Sequence, residues 1–418
     1  MKQHATPSQS SAQESTSKQS KGKDFGDNSQ RKERLLSVSQ KEQEPSLRMG
    51  MQKSATQNPF SVRLQGASIS PPDFPNGLVG LHDWLMSNQQ SLANWSGNIE
   101  VEVKGKLQQR EQLIWSYYHP NQKLILKGVG GATISGFSQQ NGKKEATPGY
   151  FLAYRPIIPQ QMTTPDGKPQ PAAANIKMIG LTIEGFVSGG VEVSPRSGSM
   201  PSAEQWNSGT LDPEQGHDHA GIHAFLSGAV FKNNTFQHMG TKHLAKGKER
   251  YNPTDPEAYK YAGYGGIIAR GLNYSQFIGN EFTDLVNRKS STTNESNGNK
   301  VNWDGLVHGL YLRDNSSRNS ILKNDFSDIS GAAVKFTNQA HYNKVRKNKS
   351  QNTGKNAFVL EHFNPNREDG LKEKDSKGYG KKIGTASDNK KYIAQNKIGN
   401  SYNTNDKQDL FTQKRVGK

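Results

Sequence analysis

The sequence predicts an all-β chain wound into a parallel β-helix, a single-stranded solenoid in which each coil lies on the one before. Three observations predict it. The first is a recurring phrase of glycine or alanine, alternating apolar residues, a polar tip and an asparagine. His308-Gly309-Leu310-Tyr311-Leu312-Arg313 leads into Ile321-Leu322-Lys323-Asn324-Asp325-Phe326, and Ala333-Val334-Lys335-Phe336-Thr337 leads into Lys344-Val345-Arg346-Lys347-Asn348-Lys349. The second is the period. Asn324 and Asn348 are 24 residues apart, and Ala357-Phe358-Val359-Leu360-Glu361 follows Ala333 at the same interval. A period in the low twenties, carried by short alternating strands, suits one coil that must stack on another to bury its apolar side. The third is that the phrase stands upstream at longer intervals. Gly221-Ile222-His223-Ala224 leads into Val230-Phe231-Lys232-Asn233-Asn234-Thr235-Phe236, and Gly266-Ile267-Ile268-Ala269-Arg270 leads into Phe277-Ile278-Gly279-Asn280-Glu281-Phe282. Asn234, Asn280 and Asn324 are spaced by 46 and 44 residues, close to two coils. Polar stretches at 241–262 and 287–301 stand in for the second coil and read as projecting loops.

Composition agrees with a thin core. Hydrophobic residues make up 31% of 418, and the mean hydropathy is −0.88. A solenoid with polar ends accounts for both, and the 42 glycines suit tight turns between strands. There is no cysteine, which excludes disulfides and thiolate metal sites. The formal charge of +17, from 54 Lys and Arg against 37 Asp and Glu, points to an anionic partner, or to a device for solubility. No apolar run of about 18 residues is present to span a membrane.

Residues 1–58 are rich in Ser, Gln, Lys and Glu, with too few apolar positions to offset the entropy of ordering, and read as a disordered tail. Its start lacks the apolar core of a Sec-type secretory signal. Met1-Lys2-Gln3-His4-Ala5, a Ser/Gln-rich spacer and Phe25-Gly26-Asp27-Asn28-Ser29-Gln30-Arg31-Lys32 resemble the leaders of cargo proteins of bacterial extracellular contractile injection systems. That resemblance implies loading into an injection-system particle through the tail and export as cargo; without it a cytoplasmic location is expected. From Pro71 the composition changes. Leu78, Leu81, Leu85 and Met86 fall near helical spacing, predicting a short amphipathic helix that caps the open end of the first coil. Ile99-Glu100-Val101-Glu102-Val103 alternates strictly, and residues 123–137 follow as strands of the first coils. Insertions are expected at 156–174 and 194–216. The β-helix domain is expected over 71–363, and a basic segment over 364–418 could close it as a carboxy-terminal cap.

Leu124-Ile125-Leu126-Lys127-Gly128 with Ala132-Thr133-Ile134-Ser135-Gly136, then Ile176-Lys177-Met178-Ile179-Gly180-Leu181-Thr182-Ile183-Glu184-Gly185-Phe186, and the Asn-x-Phe series resemble the right-handed parallel β-helix superfamily of pectate-lyase-like proteins. The resemblance covers about 78–361 and implies the fold, right-handed winding included. It does not choose a chemistry, because that scaffold carries lyases, hydrolases, esterases, epimerases and adhesins.

Strand alternation divides the side chains into two faces. With Ile222, Ala224, Ile267, Ala269, Leu310, Leu312, Val334, Phe336, Phe358 and Leu360 inward, the outward set is His223, Ile268, Arg270, Tyr311, Arg313, Lys335, Thr337, Val359 and Glu361. Stacking turns His223, Arg270, Arg313 and Lys335 into a cationic strip with Tyr311 beside it. Guanidinium groups bind carboxylates bidentately and an aromatic ring offers a flat face to a sugar, so an acidic polysaccharide is the expected partner. The cations are scattered and the aromatics are not spaced for base stacking, which argues against nucleic acid.

Cleavage of a uronate by β-elimination needs a neutralised carboxylate, a base and an acid. Asn287-Arg288-Lys289-Ser290 with Leu310-Tyr311-Leu312-Arg313 resembles the Asn-Lys-Ser and Leu-x-Leu-Arg pair of the alginate lyase and chondroitinase B family. The resemblance implies Lys289 as base and Arg313 as acid. Arg288 interrupts the first motif, and Asp314-Asn315 follows Arg313 where the family has His-Gly. His217-Asp218-His219 and His223, with His238 and His243 following, form a second constellation. His219 and His223 are expected as acid and base, and a zinc or manganese ion is the other chemistry such residues support, although in an extended strand only neighbours could share one. Asp304 and His308 are further substrate-binding candidates beside Arg270, Tyr311 and Lys335. No adjacent Asp pair stands with a Gly-His-Gly stretch, which ranks a glycoside hydrolase below a lyase. The sequence does not identify a cofactor. A polysaccharide lyase is therefore the leading expectation, and a non-catalytic glycan-binding or adhesin-like module, or an injection-system effector, the alternative.

Overall fold

Short strands that alternate apolar and polar residues bury one row of side chains and leave their backbone to pair with a strand on each side. The computed structural model describes residues 59–361 except 75, 141, 160–169, 199–223, 251–257, 289–290, 294–299, 303, 315, 338–339, 341 and 355–357. The expected tail at 1–58 and the basic segment at 364–418 lie outside the described residues, as do His217, Asp218, His219, His223 and Lys289.

The described chain is mostly parallel β-sheet stacked in register, a β-solenoid. A 7-stranded sheet takes, in chain order, Leu113–Trp115, Tyr150–Tyr154, Gly189–Val193, Gly265–Arg270, His308–Arg313, Val334–Thr337 and Phe358–Glu361. A 13-stranded sheet contains two parallel rows that share the long strand Gln122–Ser135. One row continues through Ile176–Ile179, Val230–Lys232, Gln276–Ile278, Ser320–Leu322 and Lys344–Arg346; the other through Thr182–Glu184, Thr235–Met239, Glu281–Leu285, Asp325–Ile329 and Lys349–Thr353. Each turn of chain visits the 7-stranded sheet once and each row once.

The intervals of 46 and 44 residues each advance a single rung, because Phe231 is opposite Phe277 and Phe282 is opposite Phe326. The surplus leaves as loops at the corner that returns the chain to the 7-stranded sheet. One carries two 3-10 turns, Thr241–His243 and Ala258–Tyr261; the other carries the hairpin Ser291–Thr293 with Lys300–Asn302. A third loop, the hairpin Ser138–Gln140 with Lys143–Glu145, leaves the same corner two rungs before the first of these loops.

Two devices hold the rungs in register. Asn234, Asn280, Asn324 and Asn348, each 1% exposed, form a ladder inside a corner. Each of the first three donates from Nδ2 to a backbone carbonyl and to the Oδ1 of the next asparagine, over 2.9–3.1 Å. Every buried amide is thereby satisfied, which buried polar groups require. Beside the ladder, Phe236, Phe282 and Phe326 stack with ring centroids 5.1 and 4.9 Å apart. Glycine opens the phrase because a Cβ on Gly190, Gly266 or Gly309 would lie 2.3, 2.4 or 2.5 Å from those three rings.

The expected helix is Gly77–Ser87, burying Leu78, Leu81, Leu85 and Met86. It packs on the first rung, where His82 Nε2 accepts the Ser116 N–H at 3.0 Å and the imidazole lies 5.2 Å from the Trp115 ring. Upstream of the boundary expected at 71, Phe60–Leu64 pairs antiparallel with Ile99–Val103. Among the described residues no helix is long and apolar enough to cross a membrane.

Candidate functional site

The outward face of the 7-stranded sheet carries four of the nine expected site residues, Arg270, Arg313, Tyr311 and Lys335. Register sets Arg270 opposite Arg313 and Ile268, Tyr311 and Lys335 in one line, with Glu192 opposite Ile268 on the rung before. Of the expected inward set, Ala224, Ile267, Ala269, Leu310, Leu312, Val334 and Phe336 are 0% exposed. Two outward positions are also sheltered. Ile268 is 6% exposed, and Thr337, at 1%, donates its hydroxyl to the Tyr311 phenol at 3.3 Å.

Arg270 is partly buried on this face, its side chain 19% exposed. Its Nε is buried with no hydrogen-bond partner, and the nearest carboxylate oxygen it pairs with, Asp314 Oδ2, is 4.0 Å away. The same Oδ2 accepts from Arg313 Nε at 2.7 Å, so Asp314 stands between the two guanidiniums. Burial, and then the positive charge of Arg313, lower the Arg270 pKa, against the pull of Glu192 and Asp314. Upstream on the same face Arg155 Nε donates to Glu192 at 2.8 Å, a pair whose side chains are 4% and 12% exposed. Burial, and then the Glu192 charge, raise the Tyr150 phenol well above its ordinary value and keep it protonated. Lys335 Nζ lies 5.1 Å above the Tyr311 ring and the Arg313 guanidinium 5.7 Å from it. One ring thus sits among two cations, a cation–π arrangement on the outward face.

His308 opens its strand but is buried. Its Nδ1 accepts the Ala332 N–H at 2.9 Å, its ring meets Tyr311 edge-on at 5.4 Å, and burial, with Lys335 nearby, drops its pKa well below the ordinary value. The ring is therefore a neutral brace for the Tyr311 side of the face. Asp304 begins the 3-10 turn Asp304–Leu306 just before that strand. Lys289, His219 and His223 fall outside the described residues. The two residues before Lys289 are built into the corner. Asn287 Oδ1 accepts from the N–H groups of Thr241 and Gly263, each at 3.1 Å, and Arg288 pairs with Glu249.

Sequence reasoning missed Tyr150, Arg155, Glu192 and the bridging role of Asp314. The signal for Glu192 was present: Gly189-Gly190-Val191-Glu192-Val193 repeats the phrase of Gly265-Gly266-Ile267-Ile268-Ala269, hidden by the long insertion after it. No family model, no curated protein and no solved structure matches this chain, so the arrangement itself carries the functional argument.

Proposed function

We propose that this chain is a right-handed, pectate-lyase-like β-helix protein that binds a uronate-containing polysaccharide along the outward face of its 7-stranded sheet and cleaves it by β-elimination. The observation that carries the reading is Arg270: a guanidinium whose buried Nε makes no hydrogen bond, beside Arg313 and two residues along the strand from the Tyr311–Lys335 line. A sugar carboxylate would complete its hydrogen bonding, and the neighbouring cations would hold the charge that grows on that carboxylate as the proton beside it leaves. In the reaction a base takes the proton from the carbon next to the carboxylate. The electron pair forms the carbon–carbon double bond, the bond to the glycosidic oxygen breaks, and an acid protonates that oxygen.

Lys289 as base and Arg313 as acid follow from the family resemblance, with His219 and His223 as the other candidates for proton transfer. Loading into an injection-system particle through residues 1–58 belongs to the same proposal as its route to the substrate.

Alginate, pectate, hyaluronan and chondroitin incubated with the full chain test the reading by the ultraviolet absorbance of the new conjugated double bond. Absorbance rising with one substrate, and lost in Lys289→Ala and Arg313→Ala, is the expected result. Binding without any rise makes the protein a glycan-binding module. Neither binding nor turnover overturns both.

A further inference from the structure

At the corner where the loops leave the 13-stranded sheet, three side chains converge that the saccharide face does not use. His238 and Asp284 occupy equivalent positions on adjacent rungs, since Gln237 pairs with Thr283 and Met239 with Leu285. Both have positive φ, 54° in each case, a left-handed kink that few non-glycine residues adopt and that breaks the strand's alternation there. His238 Nδ1 lies 2.8 Å from Asp284 Oδ2. His243 arrives from the turn Thr241–His243, and its Nε2 lies 3.0 Å from the same oxygen. That nitrogen is buried, yet the contact lacks hydrogen-bond geometry and it has no other partner.

We infer that His238 Nδ1, His243 Nε2 and Asp284 Oδ2 form a three-ligand site for a divalent transition metal of the zinc class. The three ligand atoms all lie within 4.8 Å of one another. Tetrahedral zinc with bonds of about 2.0–2.1 Å sets its ligands roughly 3.3 Å apart, so small side-chain adjustments close the site. Two imidazoles and one carboxylate select zinc or cobalt over calcium and magnesium, which favour all-oxygen shells. The His238 side chain is 40% exposed, which leaves a fourth position on the solvent side for water.

The surroundings are built to hold the ligands. Lys242 Nζ donates to Asp284 Oδ1 at 2.7 Å, fixing the carboxylate so that its other oxygen faces the two rings. The Phe137 ring closes over His243 and His238 at centroid distances of 6.0 and 6.4 Å. The turn that carries His243 is pinned by the Thr241 N–H on Asn287 Oδ1 and by the Arg288 N–H on the Thr241 hydroxyl at 2.8 Å. A metal here ties the corner loop 240–264 to two rungs of the solenoid, an anchoring role that does not depend on the saccharide reading.

The test is calorimetric titration of the chelator-stripped full chain with zinc chloride, with calcium chloride in parallel and cobalt chloride followed by visible absorption. The expected result is a zinc site absent from the calcium titration and a tetrahedral cobalt spectrum. Affinity should fall by about 100-fold in His238→Ala and in Asp284→Asn, and by about 10-fold in Lys242→Met. His238 is half exposed and Asp284→Asn keeps the side-chain shape, so both variants should retain the circular dichroism of the parent. Zinc binding that is absent from the parent chain, or unchanged in both His238→Ala and Asp284→Asn, overturns the assignment.

Discussion

Arg270 concentrates the cost and the use of the outward face in one side chain. A guanidinium nitrogen buried without a hydrogen bond costs free energy, and an apolar chain of similar volume in its place removes that cost. Its neighbouring carboxylates keep other partners, Glu192 with Arg155 and Asp314 with Arg313. Arg270→Met is therefore expected to leave the melting temperature unchanged or raise it while anion binding falls. A melting temperature several degrees lower, read by circular dichroism, would show that Arg270 serves the fold instead. His82 and His308 set the acid limit. Burial lowers both pKa values below the ordinary 6.5. The unfolded chain then takes up protons first, so the stability these neutral rings permit is full above about pH 6.5 and is lost progressively as pH falls from there toward the lower pKa values of the folded rings. The melting temperature should drop between about pH 7 and pH 5, and drop less in His82→Gln combined with His308→Asn, which keep an acceptor for the Ser116 and Ala332 N–H groups. Equal drops in both proteins would assign the acid sensitivity elsewhere.

The strand phrase is a packing rule before it is a signature. Its glycine faces the stacked phenylalanine of the next corner, and its asparagine satisfies backbone groups that the corner buries. Gly266→Ala sets a methyl group against the Phe282 ring, so a loss of about 1–3 kcal/mol is expected. Phe282→Leu, destabilising alone, should recover part of that loss when combined with it, because the two changes share one space. Additive losses in chemical denaturation would mean the contact does not set the glycine. Where the phrase runs without interruption, from Gly309 to Glu361, the rungs could be read directly from spacing. Where loops intervene, the spacing is lost, and the strands Tyr150–Tyr154 and Gly189–Val193 went unrecognised with the residues they carry. The antiparallel strand Phe60–Leu64 gave no repeat signal, since it joins the edge of the sheet without belonging to a rung.

Over the whole chain, register converts separations of 43 residues, as between Arg270 and Arg313, into neighbouring positions on one face. Alternation was enough to assign Arg270, Arg313, Tyr311 and Lys335 to the same side. It could not show that Asp314 would lie between two guanidiniums, which depends on how the corner after the strand turns, whereas the burial of His308 was implied by its sharing a face with Leu310 and Leu312. Of the proposed metal cluster, His238 and His243 were named from the sequence, but Asp284 was hidden, because it is 46 residues from His238 and meets it only through rung pairing. The account rests most heavily on the claim that this face recognises carboxylates. Its most direct test is the affinity of the parent chain and Arg270→Met for a polyuronate and for the same polymer with its carboxyl groups reduced to alcohols. The parent should prefer the polyuronate by about 10-fold or more, the worth of one good charge-assisted contact, and Arg270→Met should have lost most of that preference. Equal affinity of the parent for both polymers would contradict it.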